Sequence, residues 1–283
     1  MKALPKITII TPSFNQGDYI EETIESVLSQ NYPHLEYIVL DGGSTDNTIK
    51  VLQKHADNII WHSESDNGQS DALNKGFRMA TGEIIAFLNS DDRYEPGALD
   101  YIGRYFSENP HVDWLSGRCR NINGAGEEIR KPIMHYKNFW LRFSSRRVLQ
   151  VLNYVSQPAT FWRRKLFDQV GGLDEGLHYA MDYDYWMRLG QNCKLKTVDR
   201  YLAHFRIHQG SKAGSSASAQ FESELLIAQR YVGSRLLMGM HRMHTALIVA
   251  VYQVLLHREM GNGHSERPAQ SITSTMLGEI NLD

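Results

Sequence analysis

Apolar and polar positions follow two alternating periods along the first part of the chain. Apolar runs of strand length occur at Lys6–Thr11, Glu36–Asp41, Ile59–His62, Glu83–Leu88 and Val112–Ser116. Between these runs, apolar residues recur every three or four positions, as on one face of a helix, for example at Ile20, Ile24 and Val27. Strands that alternate with helices predict an α/β fold with a mostly parallel central sheet flanked by helices.

The pattern is less regular after Arg118, where we predict a hairpin around Asn123–Gly126. A second ordered block follows, with a strand, a short helix, a longer helix and two strands. The strands and the longer helix are predicted at Ala159–Arg163, Tyr179–Leu189, Leu195–Val198 and Tyr201–Ile207.

The remaining residues predict a C-terminal helical extension. Residues 210–219 are rich in Gly, Ser and Ala and predict a linker or mobile loop, whereas Phe221 to about Met260 is helical in pattern. We therefore divide the chain into a catalytic domain (1–210, with halves 1–118 and 119–210), a helical extension (211–260) and a poorly ordered tail (261–283).

Composition narrows the class of protein. The 283 residues are 42% hydrophobic and 22% charged, which is typical of a globular protein, and the net charge of −2 gives no basic surface for nucleic acid. Two cysteines, Cys119 and Cys193, favour a reducing compartment over a disulfide framework. Because Pro12 interrupts the N-terminal apolar run and no run of about 18 apolar residues occurs, we expect no signal peptide, no membrane span and a cytoplasmic location.

Clustered carboxylates follow the apolar run that ends at Leu88. The segment Asn89-Ser90-Asp91-Asp92 stands where a buried parallel strand would end, and ligands of open α/β sheets bind beyond such ends. Adjacent carboxylates repel each other unless a positive group lies between them and the ligand. A divalent cation that carries a diphosphate would meet this need, although an acidic solvent turn remains an alternative for these four residues alone.

Three further polar segments follow predicted strands. Thr11 to Asn15 and the segment from Asp41 follow the first two strands, and Asp41 can accept a hydrogen bond from a base N–H, while Asp46 is expected to cap a helix. The third segment starts a helix, where Gly68 could lie against a phosphate or ribose. Ordinary turns and caps explain each of these segments equally well when it is taken singly.

Two segments of the second block carry candidate acid–base and ligand residues. Asp182 and Asp184 open an aromatic-rich helix, where limited hydration could raise the pKa of Asp182 towards that of a general base. A helix-start acidic pair is the alternative. Strand alternation puts Arg206 and His208 on one face, and they could bind phosphate and metal, respectively.

Taken in order, these motifs resemble the family 2 glycosyltransferases of the GT-A fold. The resemblance covers roughly residues 6–210. It rests on Thr-Pro-Ser-Phe-Asn from Thr11, Asp-Gly-Gly-Ser-Thr-Asp-Asn-Thr from Asp41, Asn-Gly-Gln-Ser-Asp from Asn67, Phe-Leu-Asn-Ser-Asp-Asp from Phe87, Gln-Pro-Ala-Thr-Phe-Trp from Gln157, Gly-Gly-Leu-Asp from Gly171, Met-Asp-Tyr-Asp-Tyr-Trp from Met181 and Phe-Arg-Ile-His from Phe205.

The resemblance implies an inverting transfer of a sugar from a nucleotide-diphosphate donor, by default a UDP-sugar, to a hydroxyl of a glycan or lipid-linked acceptor in surface polysaccharide assembly. It implies that Asp41 recognises the base and that Asp182 is the catalytic base, with Asp184 as the fallback. Asp91 and His208 would hold Mn²⁺ or Mg²⁺, with Asp92 a weaker candidate and Arg206 a phosphate ligand. The other nucleotide-binding candidates are Thr11, Pro12, Ser13, Asn15, Asn67, Gly68, Asp71, Asn89 and Ser90.

Two positions depart from the family pattern. Asn89 stands where the first aspartate of the family's Asp-x-Asp site often stands, and Met181 stands where many relatives have glutamate. These departures keep open a catalytically inactive sugar-nucleotide-binding subunit. A nucleotidyltransferase is a weaker alternative, because Thr11–Gly17 contains no Lys or Arg.

The C-terminal helical pattern also suggests a partner. Arginines and histidines among Leu, Ile, Val and Met in residues 221–258 would allow contact with a membrane surface at the inner face of the cell membrane. Packing against the catalytic domain or another copy of the chain is the interpretation that we favour.

Overall fold

The computed structural model describes residues 3–212 and 217–261, so parts of the predicted linker and nearly all of the predicted tail lie outside the described residues. The strands are β1 (Ile7–Ser13), β2 (Leu35–Asp41), β3 (Ile60–Ser63), β4 (Ile84–Phe87), β5 (Arg93–Tyr94), β6 (Trp114–Ile122), β7 (Thr160–Arg163) and β8 (Lys196–Arg206). The helices are α1 (Ile20–Leu28), α2 (Thr48–Lys54), α3 (Gln69–Met79), α4 (Ala98–Glu108), α5 (Lys131–Leu141), α6 (Arg146–Val151), α7 (Arg164–Val170), α8 (Met181–Asn192), α9 (Ala217–Tyr231) and α10 (Arg235–Gly261), with a 3₁₀ turn at Gln157–Ala159.

The strands form one sheet in the order β3-β2-β1-β4-β7-β6-β8-β5. Strands β3, β2, β1 and β4 are parallel, β7 runs antiparallel to both its neighbours, and β8 is again parallel to β6. The α/β fold with a central sheet flanked by helices is therefore confirmed. Strands β1 to β4 make up the parallel part, and antiparallel pairings enter with β7.

Both faces of the sheet are covered by apolar side chains. Along β4, Ile84 and Ala86 belong to one core cluster and Ile85 and Phe87 to the other, as expected when successive side chains point to opposite faces. Helix α3 lies so close to the sheet that a Cβ at Gly76 would be 2.5 Å from Ile10. This close contact sets the distance between α3 and the sheet.

The second half differs from the sequence prediction in its strands. The two strands predicted at Leu195–Val198 and Tyr201–Ile207 are one strand, β8, and β6 extends to Ile122. The pairing of β6 with β8 shifts register around Arg118, and such irregularities allow a strand to continue through residues that break its alternation. The turn predicted around Asn123–Gly126 is confirmed by a hydrogen bond from the Gly126 N–H to the Asn123 carbonyl.

Helices α9 and α10 pack against residues 119–210. The Tyr231 hydroxyl donates to Asp184, and His241, which is buried, lies with Nδ1 3.2 Å from the Gln150 carbonyl. None of the helices that the structure describes has the length and apolar content needed to cross a bilayer. These contacts show that the segment packs against residues 119–210, which is one of the two kinds of packing that we favoured from the sequence.

Candidate active site

The ends of three parallel strands bring the first candidate residues to one edge of the sheet. Ser13 at the end of β1 pairs in register with Asp41 at the end of β2, and β4 lies on the other side of β1. The acidic turn Asn89–Asp92 directly follows β4. Ligands of open α/β sheets bind at this edge.

Asp41 is buried, and its carboxylate is held by the loop that follows. The N–H groups of Gly43 and Ser44 donate to Oδ2 over 3.1 and 2.8 Å, and the Ser63 hydroxyl donates to the same oxygen over 2.7 Å. The Ser44 hydroxyl donates to Oδ1. Asp41 therefore has a fixed orientation at the end of β2.

The β1 end contributes small, buried groups. Thr11 shares a 3.0 Å hydrogen bond with the Tyr37 hydroxyl, Pro12 is buried beside it, and Ser13 Oγ is buried without a hydrogen-bond partner. Asn15 adopts a left-handed conformation, and its side-chain oxygen accepts from the Thr45 N–H. The β1 and β2 loops are thus joined by hydrogen bonds next to Asp41.

The start of α3 leaves open space at the same edge. Gly68 has φ +104°, which favours glycine, and no atom lies within 4 Å of where its Cβ would be. Asp71 accepts a hydrogen bond from the Asn67 N–H and pairs with Lys75. Asp71 is therefore a helix-capping residue in this structure, whereas the backbone at Gly68 is open to a ligand.

Asp91 and His208, far apart in the sequence, lie side by side. His208 Nε2 is 3.1 Å from Asp91 Oδ2, and the Tyr19 ring lies 4.5 Å from the imidazole. Both side chains are about one-eighth exposed, at 12% for His208 and 15% for Asp91. The two predicted metal ligands thus form one oxygen-plus-nitrogen pair, a donor set that suits Mn²⁺.

Arg206 lies below this pair rather than in open space. It is 2% exposed and donates to the main-chain carbonyls of Asp91 over 2.7 Å and Gly124 over 2.8 Å, and it pairs with Glu22. These protein partners occupy the guanidinium, so the geometry gives Arg206 the role of holding the acidic turn. The structure gives no support to the predicted contact between Arg206 and phosphate.

Asp92 is also turned inward. It is fully buried, and Oδ1 accepts from the Arg206 N–H over 2.8 Å. Burial, reinforced by the charge of Asp91, raises the pKa of Asp92 well above its usual range. Of the two neighbouring carboxylates, Asp91 is the one available to a cation.

Ser90 in the acidic turn is buried. Its neighbour Asn89 forms hydrogen bonds with three polar side chains. Its amide donates to Asp92 over 3.0 Å and to Gln157 over 3.2 Å, and its oxygen accepts from Gln69 over 2.7 Å. Lys212 in turn donates to Gln69 over 3.0 Å. A chain of hydrogen bonds therefore runs from the segment after β8 to the acidic turn.

Asp182 lies on the opposite side of the same space, at the start of α8. Ala180 before it is left-handed, with φ 55°, and this turn directs the helix start toward the sheet edge. Burial raises the pKa of Asp182, and the charges of Lys137 and Lys212 lower it in part. A carboxylate with a raised pKa is suited to accept a proton near neutral pH.

Asp184 points away from this space. It is 2% exposed, and it accepts from Arg188 over 2.9 Å and from the Tyr231 hydroxyl over 2.7 Å. These contacts make Asp184 an anchor for α9 rather than a group open to substrate. Met181, the departure from the family pattern, is buried and accepts a hydrogen bond from Ser70.

A cavity of about 280 Å³ lies between the acidic turn and α8. Its lining includes Asn89, Gln69, Asp182 and Lys212. It is large enough for a sugar ring, and it has a candidate base on one side and the acidic turn on the other.

The metal prediction can be tested on the side chains present. Asp91 and His208 fit a cation, as described above. Among the described residues, Glu21, Glu25 and His55 also bring ligand atoms within 4.8 Å of one another. Lys54 already pairs with Glu21 there, and these residues are on the α1 and α2 surface, so we do not assign the catalytic ion to them.

Several residues of the site were not predicted from the sequence. Gln69 belongs to the motif that starts at Asn67 but was not among the candidate residues, and Lys212, which belongs to no motif, lies in the segment that we interpreted as a linker. Lys137 and Glu224 come from helices with no motif. Gln157 was part of a motif without an assigned role, and its hydrogen bond with Asn89 gives this motif residue a structural role.

The chain matches the family model "Glycosyl transferase family 2" over residues 8–171. An uncharacterized glycosyltransferase of Mycobacterium tuberculosis is 31% identical over 208 residues, covering 72% of this chain and 76% of the relative. A PGL/p-HBAD biosynthesis glycosyltransferase of Mycobacterium bovis is 29% identical over 233 residues, covering 79% and 84% of the two chains.

Solved structures share the fold. The 1–349 fragment of Staphylococcus aureus TarS in complex with UDP-GlcNAc has a TM-score of 0.64 at 20% identity, covering 86% of this chain and 71% of that one. The mannosyltransferase PcManGT from Pyrobaculum calidifontis, in complex with GDP-Man and Mn²⁺, has a TM-score of 0.63 at 18% identity, covering 89% and 81%. The fold is thus that of the GT-A glycosyltransferases. The chain belongs to glycosyl transferase family 2, and its resemblance to that family is confirmed.

Proposed function

We propose that the protein is a metal-dependent, inverting glycosyltransferase that moves a sugar from a nucleotide-diphosphate donor to a hydroxyl of a glycan or lipid-linked acceptor. One observation carries the proposal: in a family 2 chain, Asn89 of the acidic turn lines the same cavity as Asp182, and Asp91 of that turn contacts His208. UDP-sugars are the first donors to test, since the related fold of TarS was solved with UDP-GlcNAc.

In this proposal each group has one task. Asp41 and the backbone near Gly68 bind the nucleoside, and Asp91 with His208 holds Mn²⁺ or Mg²⁺. An ion there would neutralise the charge that develops on the departing nucleoside diphosphate. Asp182 takes the proton of the acceptor hydroxyl as that oxygen attacks the anomeric carbon from the side opposite the leaving group, which inverts the configuration.

The exposed surface of α10 supports a proposal for where in the cell the protein acts. Leu236, Met243 and Leu247 are 74%, 70% and 62% exposed, with exposed Arg235 and Arg242 on the same helix. Apolar and cationic side chains together suit an anionic lipid surface, which supports peripheral contact at the cytoplasmic face of a membrane during surface polysaccharide assembly. Flotation with vesicles containing phosphatidylglycerol tests this contact; a second copy of the chain would instead give a concentration-dependent mass in solution.

The enzymatic proposal is tested by release of the nucleoside diphosphate (UDP, dTDP or GDP) from a panel of UDP-, dTDP- and GDP-sugars with Mn²⁺. Asp91→Asn should lose Mn²⁺-dependent turnover by at least about a hundredfold, as expected when a charge-stabilising group is lost. Asp57→Asn, which changes an exposed carboxylate, should leave turnover unchanged. Nucleotide-sugar binding without turnover by the wild type would favour the inactive binding subunit.

A further inference from the structure

The C-terminal helices form part of the cavity wall. Gln220, Phe221 and Glu224 of α9 and His244 of α10 line the cavity that also contains Asp182. All four lie beyond residues 8–171, the segment that matches the family. This wall is therefore supplied by the helical extension rather than by the family-matched segment.

Glu224 is the centre of a polar cluster in this wall. Its Oε1 accepts from Gln220 over 3.0 Å and from Asn153 over 3.3 Å. Glu224 and Asp182 line the same cavity. Burial raises the pKa of Glu224, and the negative charge of Asp182 raises it further. Asp184 and Tyr231 provide a separate contact that anchors α9.

Asn153 leaves one acceptor in this cluster unused. Its Nδ2 donates to Glu224, whereas its Oδ1 is buried and has no hydrogen-bond partner within residues 3–212 and 217–261. A buried acceptor without a donor costs free energy, and such a group at a cavity wall is expected to receive its donor from a ligand or from water. A hydroxyl is a suitable donor because it can also accept from a neighbouring amide.

The surroundings fit a neutral sugar better than a charged ligand. Lys137 lines the same cavity and its charge partly offsets that of Glu224. Tyr136 and His244, whose rings are stacked 5.9 Å apart, add an aromatic surface. Carboxylate and amide oxygens beside an aromatic wall offer hydrogen bonds to hydroxyls and contact to the apolar side of a ring.

We propose that Glu224, with Asn153 and Gln220, binds two hydroxyls of a neutral acceptor hexose and so positions a third hydroxyl toward Asp182. Glu224 is then a specificity-determining residue that the helical extension brings to the site. The inference rests on the proposed glycosyl transfer for its purpose, but the binding that it predicts can be measured without turnover.

The experiment compares wild type, Glu224→Gln and Glu224→Ala with Glu222→Gln, which changes an exposed carboxylate on the same helix. Binding of the p-nitrophenyl β-glucoside, β-galactoside, α-mannoside and β-N-acetylglucosaminide is read by saturation-transfer NMR in the presence of UDP and Mn²⁺. The loss of a charged hydrogen bond should weaken binding about ten- to a hundredfold in both Glu224 variants. Glu222→Gln should match the wild type, and thermal unfolding confirms that each variant is folded.

Turnover then separates this inference from the proposed function. With an active UDP-sugar, the Glu224 variants should show a raised KM for the hexoside, whereas Glu222→Gln should keep the KM of the wild type. Equal hexoside binding by wild type and Glu224→Gln, or no binding of any hexoside to the wild type, would overturn the subsite. Hexoside binding that depends on Glu224, combined with no donor turnover, would overturn the enzymatic proposal and keep the subsite.

Discussion

Asp182→Asn replaces one carboxylate oxygen by an NH₂ group of nearly the same size. The retained side-chain oxygen can still accept from the Tyr183 N–H, a contact of 2.9 Å in the native protein. The variant therefore changes the charge and the capacity to accept a proton, while the shape of the cavity stays the same. If Asp182 is the base, chemistry and folding should respond in opposite directions.

The effect on turnover follows from the task of a general base. Such a group contributes typically 10²- to 10⁴-fold, which corresponds to about 2.7–5.5 kcal/mol in the activation free energy. We expect kcat to fall by this factor in Asp182→Asn. The Kd for nucleotide should stay within about twofold, because Asp41 and Asp91 carry nucleotide and metal binding in our proposal.

The effect on stability follows from burial, which raises the pKa of Asp182 above 3.8 in the folded state. A raised carboxyl pKa means that the folded state binds the proton more tightly than the unfolded state, so stability falls as pH rises through the interval above 3.8. The penalty grows as pH rises from 3.8 toward the raised pKa in the wild type, and it is absent in Asp182→Asn. The variant should be at least as stable at pH 7, and its advantage should shrink as pH falls toward 3.8.

UDP release, nucleotide titration and urea unfolding at pH 4 and pH 7 measure the three quantities. In the wild type, turnover should decrease with acidification through the raised pKa, as Asp182 becomes protonated. Turnover of Asp182→Asn within tenfold of wild type would refute the assignment of the base. If Asp182→Asn lowered the free energy of unfolding relative to the wild type more at pH 7 than at pH 4, the argument from burial would be refuted.

Three further variants test the core and the metal pair. Phe77→Ala should lower the free energy of unfolding, measured by urea titration, by about 3–5 kcal/mol, because the fully buried ring contacts four other aromatic rings. The control Phe143→Ala, at an exposed position, should change it by less than about 0.5 kcal/mol. Arg206→Met should cost about 3–5 kcal/mol in the same assay, since it leaves buried partners unpaired, and a loss below 1 kcal/mol would contradict its structural role. His208→Ala should weaken Mn²⁺ binding at least about tenfold by electron paramagnetic resonance, with exposed His111→Ala as the control; unchanged affinity would exclude His208 as a ligand.

The parallel half of the fold could be predicted because its signals are local. Strand β4 is a continuous apolar run, β1 and β2 are rich in apolar residues, and the helices between the strands show a clear period. The bulged pairing of β6 with β8 could not be predicted, because it depends on contacts between segments about 80 residues apart. Local patterns also gave no reason to join two apparent strands across Asp199 and Arg200.

The candidate site was predictable to the extent that its residues belong to motifs. The pairing of Asp91 with His208 followed from the resemblance and is present in the structure. Arg206 shows the limit of that reasoning, because strand alternation assigns it a face but says nothing of the Glu22 carboxylate and the carbonyls that surround it. Glu224 was missed because its role depends on how α9 packs, which no spacing along the chain encodes.

The hydrogen bonds of Asn89 have a fixed direction, and this bears on how the chain tolerates an amide in place of the family's usual carboxylate. Lys212 can only donate, so Gln69 must turn its NH₂ group to Asn89; Gln157 donates to the Phe87 carbonyl, so it must turn its oxygen to Asn89. The Asn89 NH₂ group fills the position between that oxygen and Asp92. An aspartate would set three oxygens against one another there, so the neighbours are adapted to asparagine, as expected of a maintained site rather than of one losing its function.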